Sequence, residues 1–234
     1  MLLASYGHPS TIEASIYPVW QESSMPARKF DRLHTALEAV PNDSVLGVEK
    51  VAVNADCTMI ATKDSTRPTT LWIWTTAFSI PQTVINFREQ IRQTLWHPKL
   101  PNVLLVITNQ KEPTLYVWHD PSTAPAIGVI PLPSGGKGLA RFEGIWLPNE
   151  VDGRHLFMLS SQEAFNIGFL HGSSDGVFFE SVLEREFELE EPSHDALDNE
   201  RTPSRPGEQF MAEPWDIATG KGDPISSYAK DMKW

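Results

Sequence analysis

Cysteine is nearly absent: Cys57 stands alone in 234 residues. That excludes an internal disulfide and any cysteine metal cluster, and it suits a reducing, intracellular setting. Long apolar runs are missing too, since nothing approaches the roughly 18 residues that suggest a membrane helix. The N-terminus, MLLASYGHPSTIE, has no basic region ahead of its few apolar residues, which excludes an ordinary secretory signal. Positive charge is scarce, with 19 Lys and Arg against 30 Asp and Glu and a net charge of −11. Residues 180–234 hold fourteen acidic against six basic residues, so most of the imbalance belongs to the C-terminal quarter. Such a balance argues against non-specific nucleic-acid binding, which needs a positive footprint. The seven histidines are scattered, and no pair has the H-x₃-H spacing that sets two zinc ligands on one helix face.

What is present is a repeated β pattern. Residues 46–74, LGVEKVAVNADCTMIATKDSTRPTTLWIW, read as three short strands. Val48, Val51 and Val53 mark the first, Met59 to Thr62 the second, and Leu71 to Trp74 the third. β-Branched and aromatic residues favour the pleated surface, and Asn54-Ala55-Asp56 supplies turn chemistry. The layout recurs with Gln93 to Pro98, Val103 to Thr108 and Thr114 to Trp118. A looser copy has Gly144 to Pro148, Leu156 to Ser160 and Phe165 to Phe169. Trp74 to Trp118 is 44 residues and Trp118 to Phe169 is 51. A period in the forties, with several strands and a closing aromatic, is the pattern of β-propeller blades.

The expected fold is therefore all-β, a partial β-propeller of about three WD-type four-stranded blades with a disordered acidic C-terminal tail. Residues 1–45 are expected to supply a partial blade and an inter-blade loop. Within them, Ile16 to Trp20 reads as a strand that Pro18 confines to an edge, while 29–40 (KFDRLHTALEAV) fits a helix or two short strands equally well. Residues 46–183 carry the three blades, at 46–87, 91–131 and 139–183, with a Pro/Gly-rich linker at 131–138. From Glu184 the sequence is acidic, proline-punctuated and too poor in apolar residues to offset the cost of ordering. Three blades are fewer than the four to eight that close a ring, so further blades upstream are expected.

Few patterns suggest catalysis. Gly172-Ser173-Ser174-Asp175-Gly176 matches G-x-S-x-G literally. The only later histidine, His194, falls in the acidic segment, so the match reads as a turn. Gly135-Gly136-Lys137-Gly138 has Gly138 where a phosphate loop needs Ser or Thr, and reads as a linker. Trp72, Trp74, Trp96, Trp118 and Trp146 recur at equivalent positions and read as packing residues. Binding residues on a propeller sit in rim loops. The polar connection after the second strand of the first blade makes Lys63, Asp64 and Arg67 the candidate protein-binding residues. No catalytic, metal or cofactor residue is expected, and neither is a nucleic-acid, membrane or small-molecule partner.

Residues 61–74, ATKDSTRPTTLWIW, resemble the A-T-[RK]-[ND]-x-x-x-P-x-x-[VL]-W-[IV]-W stretch of the WD repeat-containing protein 8 family. Gly7-His8-Pro9 is similar to that family's G-H-P ahead of a long inter-blade loop, and Leu95-Trp96-His97-Pro98 to its W-x-P turn one blade later. Thr75 and His119 depart from the pattern, standing where a WD repeat prefers Asp after the tryptophan. The resemblance implies a non-catalytic adaptor in the cytoplasm and cytoskeleton, at centrosomes or spindle pole bodies. It implies action with a coiled-coil anchoring protein and a minus-end-directed kinesin to tether microtubule minus ends. The same fold would also suit an adaptor in another complex, such as a ubiquitin-ligase substrate receptor.

Overall fold

The computed structural model describes residues 6–9, 11–23, 28–36, 47–132, 141–173 and 176–186, which form strands and turns with no helix among them. Two short N-terminal strands, β1 (Val19–Glu22) and β2 (Phe30–Arg32), precede three antiparallel meanders. The first blade is β3 (Val48–Val53), β4 (Met59–Asp64), β5 (Thr70–Thr75) and β6 (Pro81–Asn86). The second is β7 (Ile91–Trp96), β8 (Leu104–Thr108), β9 (Thr114–Trp118) and β10 (Ala126–Val129). The third is β11 (Glu143–Val151), β12 (Arg154–Ser160), β13 (Ala164–Ser173) and β14 (Gly176–Glu186). The chain is thus an all-β partial propeller, with the four strands of each blade hydrogen-bonded in sequence order.

Local chemistry sets the turns. Between β3 and β4, Asn54 Oδ1 accepts the Met59 amide at 2.9 Å, and Asp56 Oδ1 accepts the Thr58 amide at 3.1 Å. Cys57 completes that turn at φ 60. Between β9 and β10, Asp120 Oδ1 takes the Ser122 amide at 2.7 Å. These are the side chain-to-backbone bonds for which Asn and Asp are favoured in tight turns.

Residues opposite each other in an antiparallel pair share a face, so the registers define two faces per blade. Leu71, Ile73 and Ile85 of the first blade pack against Leu104, Val106, Tyr116 and Trp118 of the second. Leu105, Ile107, Leu115 and Val117 of the second pack against Phe157, Leu159 and Leu170 of the third. Burial on both faces explains the unalternating LLVIT run of β8, buried at every position. Trp72, Trp74 and Trp118 are at most 1% exposed, while Trp96 and Trp146 are half-buried at blade junctions. The β13–β14 hairpin is tight at Gly168, where a Cβ would stand 2.1 Å from the Glu180 carbonyl oxygen.

Three expectations are corrected. The N-terminal segment adds β1 and β2 to the outer edge of the first blade and is not a partial blade of its own. β1 lies parallel to β6, with Val19 opposite Val84, and is flanked by β2 on its other side. It is therefore interior, and Pro18 sits just before it, its carbonyl accepting the Val84 amide at 3.0 Å. Of 29–40, Phe30 to Arg32 is strand and residues 37–40 lie outside the described residues. Order does not stop at Glu184, because β14 runs to Glu186 opposite Ala164. The remainder of the expected acidic tail, and the 133–138 part of the linker, lie outside the described residues.

Candidate functional site

A meander reverses direction at each strand, so the β4–β5 and β6–β7 connections emerge on one face, as do β8–β9 and β12–β13. The backbone ties these loops together. The Ile91 amide bonds the Pro68 carbonyl and the Asn109 amide bonds the Gln90 carbonyl, each at 2.9 Å. Lys63, Asp64 and Arg67 all belong to this face.

Lys63 is not a solvated loop residue. It is inside β4 and 5% exposed, with its Nζ 2.9 Å from Glu49 Oε2 and donating to the Ile91 carbonyl at 3.1 Å. The adjacent Lys50 donates to the Arg92 carbonyl. Burial, and then Lys63 beside it, hold the Lys50 pKa below its usual value. Two lysines of the first blade therefore satisfy two carbonyls at the start of β7, where a bulge between Ile91 and Gln93 interrupts the ladder. The hydrophobic pattern could not reveal this, since a lysine at a strand end usually reads as solvent-facing.

Asp64 ends a four-residue relay. The Trp74 indole N–H donates to Thr62 Oγ1 at 2.8 Å, and Thr62 Oγ1 is 2.7 Å from His8 Nε2. His8 Nδ1 lies 3.1 Å from Asp64 Oδ2, and Asp64 Oδ1 accepts the Thr66 amide and hydroxyl, both at 2.7 Å. Every partner is satisfied when the Thr62 hydroxyl donates to Nε2 and the Nδ1 proton points at Asp64, which assigns the tautomer from the network. The imidazole also stacks on Trp72, with centroids 4.1 Å apart and planes at 22°. Burial lowers the His8 pKa although Asp64 opposes it, in keeping with a neutral ring. Burial works to raise the Asp64 pKa, and the Thr66 and His8 bonds outweigh it. The carboxylate of this blade's relay thus comes from Asp64 at the end of β4, and not from the position after the tryptophan, which is Thr75. Arg67 begins the bend into β5, its carbonyl accepting the Thr70 amide at 3.0 Å, and burial lowers its pKa against the pull of Asp64.

Beside these residues, between the first two blades, an open cleft of about 400 Å³ is lined by Glu22, Arg28, Arg88, Gln110 and Lys111 among others. Its floor is organised by Glu22, which is 3% exposed. Glu22 accepts the Tyr116 hydroxyl at 2.8 Å and the Arg88 amide at 2.9 Å. Burial, then the Glu22 bond, raise the Tyr116 pKa and keep the phenol protonated. Arg28 bonds Thr114 Oγ1 at 2.8 Å and pairs with Glu112 at 3.3 Å. The cleft joins loop residues of two blades to the N-terminal excursion. Sequence spacing gave no sign of it, because Glu22 and Tyr116 are 94 positions apart.

Ser174 of the G-x-S-x-G match lies outside the described residues; β13 and β14 meet at Ser173 and Gly176 on either side. Gly135 to Gly138 also lie outside them. On the opposite face, His97 follows β7, 9% exposed, and its Nδ1 accepts the Lys99 and Leu100 amides at 3.0 Å each. Its ring meets Trp146 and His155 of the third blade edge-on at 4.5 and 5.2 Å. Burial, and then His155, lower its pKa to about 4. Among the described residues, no group of three or more His, Cys, Asp and Glu is placed to hold a metal ion.

Stacked four-stranded meanders with buried strand-three tryptophans define the class, a WD-type propeller arc. No family model matches the chain. An uncharacterized WD repeat-containing protein of Schizosaccharomyces pombe is similar, 23% identical over 174 residues, covering 69% of this chain and 35% of that protein. The chain thus spans about a third of the length of that curated relative. Among solved structures it is similar to the WD40 domain of SCAP from fission yeast, at 14% identity and a TM-score of 0.44, over 64% of this chain and 34% of that one. It is also similar to Kluyveromyces lactis Hsv2, at 14% identity and a TM-score of 0.43, over 68% and 56% of the two chains.

Proposed function

We propose that the chain is a non-catalytic WD-repeat scaffold whose loop face binds protein partners. The observation that carries this reading is the combination of a blade relay with a cleft on the same face. His8, Asp64, Lys63, Glu22 and Tyr116 are tied into structural bonds, which supports a rigid platform over a reactive site. Large apolar blades supply rigidity, and loops of mixed charge supply the contact surface.

The particular assembly proposed is microtubule minus-end anchoring at the spindle pole body or centrosome. The partners would be a coiled-coil anchoring protein and a minus-end-directed kinesin. The support is the 61–74 segment, whose Thr62, Asp64 and Trp74 form the relay together with His8 of the Gly7-His8-Pro9 stretch. Protein contacts through Lys63, Asp64 and Arg67 belong to the same proposal. Asp64 and Arg67 flank the turn on the loop face, whereas Lys63 contributes by fixing that turn against β7.

The test is imaging and affinity capture of the endogenous, C-terminally tagged protein in dividing cells. Concentration at spindle poles with coiled-coil pole components, tubulin or a kinesin is the expected result. Even cytoplasmic distribution with cullin-type ligase subunits would replace it by the ubiquitin-ligase adaptor. Recovery of chaperones alone would remove both.

A further inference from the structure

Two strands end their sheets with an open edge: β2 ends the six-stranded sheet, and β14 ends the sheet of the third blade. Among the described residues, no strand pairs with the far side of either. An open edge is a row of unpaired N–H and C=O groups, a template for another strand unless charge blunts it. Both edges are charged here, with opposite sign. Residues 28–32 read RKFDR, three cations and one acid, whereas residues 184–186 read ERE.

Backbone geometry fixes which residues face outward. The Leu33 amide bonds the Val19 carbonyl, and the Lys29 carbonyl accepts the Ser23 amide. Residues 29, 31 and 33 therefore turn toward β1, and the backbone groups of Phe30 and Arg32 turn away from it. In the third blade the Ser161 amide bonds the Ala164 carbonyl, which sets Ala164 toward β12 and Phe165 and Ile167 toward β14. Their opposites, Arg185 and Leu183, are the bonded residues of β14, so the backbone groups of residues 184 and 186 face outward.

We propose that the β2 edge of one copy of this chain pairs antiparallel with the β14 edge of another. Setting Arg32 opposite Glu184 brings outward groups to outward groups, and Phe30 then meets the backbone of residue 186. In the same register Asp31 faces Arg185 and Leu33 faces Leu183. Opposite charges and apolar pairs directly across two strands are stabilising. Arg32, Glu184 and Arg185 are exposed, and so is Asp31, which also holds Lys29 of its own strand at 2.8 Å. Leu183 is 42% exposed and gains cover.

Symmetric pairing does not serve. Two β2 edges oppose Asp31 to Asp31, or Arg32 to Arg28 or Arg32 in the neighbouring registers. Two β14 edges oppose Arg185 to Arg185 or Glu184 to Glu184. Like charges directly opposite are destabilising. The contact is therefore head-to-tail, and each copy keeps an edge for the next, so copies add in a row. The paired stretch is short, which makes the association weak and concentration-dependent. Lys63, Asp64 and Arg67 take no part in it, so it stands apart from the loop-face reading.

Sedimentation velocity of the full chain over a wide concentration range tests this. The expected result is a sedimentation coefficient that climbs with concentration past that of a dimer. Arg32→Glu and Glu184→Arg, each alone, should weaken the association roughly tenfold. An equal mixture of the two variants should regain it, because the reversed charges face each other at one junction and the unaltered ones at the next. Misfolding of either variant cannot produce that recovery. Arg32→Pro, which removes an outward N–H and no bond to β1, should abolish association with an unchanged circular-dichroism melt. Hydrogen exchange should slow at the amides of residues 30, 32, 184 and 186 as concentration rises, with those of Asp31 and Arg185 unaffected. A monomer at every concentration, a species that stops at a dimer, association indifferent to both charge reversals, or mixing without recovery would overturn the proposal.

Discussion

The first and second blades have the same strand lengths to within two residues and the same tryptophan at the end of the third strand, but they secure it differently. In the first blade Trp74 is held by Thr62, His8 and Asp64 in a closed hydrogen-bond chain. In the second, Val106 takes the place of Thr62, and the Trp118 indole N–H has no acceptor among the described residues. Trp118 is held by an edge-on contact with Trp96, at 6.2 Å, and by apolar neighbours. The same fold position is thus filled once by a polar network and once by packing alone. A network requires every member, whereas packing tolerates change of similar volume.

The widest gap is expected from paired tryptophan substitutions. Trp74→Phe removes volume and also strips the donor from Thr62, at a cost of about 3 kcal/mol. Trp118→Phe loses an N–H that was already unpaired, and should cost only about 1 kcal/mol by the same reasoning. Urea unfolding of both variants checks this, and equal costs would refute the contrast.

Of like size is a pH effect located at the other junction. His97 has its folded pKa depressed to about 4, against about 6.5 when unfolded. The unfolded chain therefore takes up the proton first. The stabilisation is complete above about pH 6.5 and is lost as pH falls through the folded value, amounting to about 3 kcal/mol. Protonation at Nδ1 would turn a proton toward the Lys99 and Leu100 amides that it now accepts. Melting curves between pH 7 and 4, with and without His97→Gln, should show a steeper slope when His97 is present. The depressed pKa of His8 acts with the same sign in the first blade, so His8→Gln should remove a separate part of the slope.

Thr62→Val gives the first blade the side chain of the second, and leaves both Trp74 N–H and His8 Nε2 without partners, for about 1–2 kcal/mol. The smallest effect is the reverse change. Val106→Thr offers a hydroxyl to Trp118 and should be neutral within about 0.5 kcal/mol, where a buried hydroxyl with no partner would cost roughly 1–3 kcal/mol. Denaturant midpoints of the two variants complete the exchange, and a large loss from Val106→Thr would show that the second blade cannot adopt the first blade's solution.

The blades themselves were legible because their signal is local. Short β-branched and aromatic segments, Asn-Ala-Asp turn chemistry and a recurring tryptophan lie within forty-odd residues of one another. The candidate face was legible only in part. Asp64 could be singled out as a loop carboxylate, but its partner His8 is 56 positions earlier, and no periodicity links them. Lys63 reads as solvent-facing because a charge at a strand end is usually hydrated. Here Glu49 and a bulge-exposed carbonyl make burial affordable. Pro18 reads as an edge marker for a similar reason, yet it immediately precedes β1, and its missing N–H lies outside the ladder. Glu22 reads as a surface residue until the excursion that carries it is seen folded against the second blade.

That excursion also orders events in time. Pro18 meets Thr83 across 65 residues, and His8 meets Thr62 across 54. On a ribosome, residues 6–22 emerge before any part of the sheet that they complete, so they wait until β6 has been made. Loop closure over such spans is slow compared with pairing of neighbouring strands. A chain halted just before β6 would hold Trp72 and Trp74 without Val84, Val19 or a finished blade to cover them. The most deeply buried tryptophans of the finished protein are therefore among the groups it must shield longest during synthesis, a natural point for chaperone engagement.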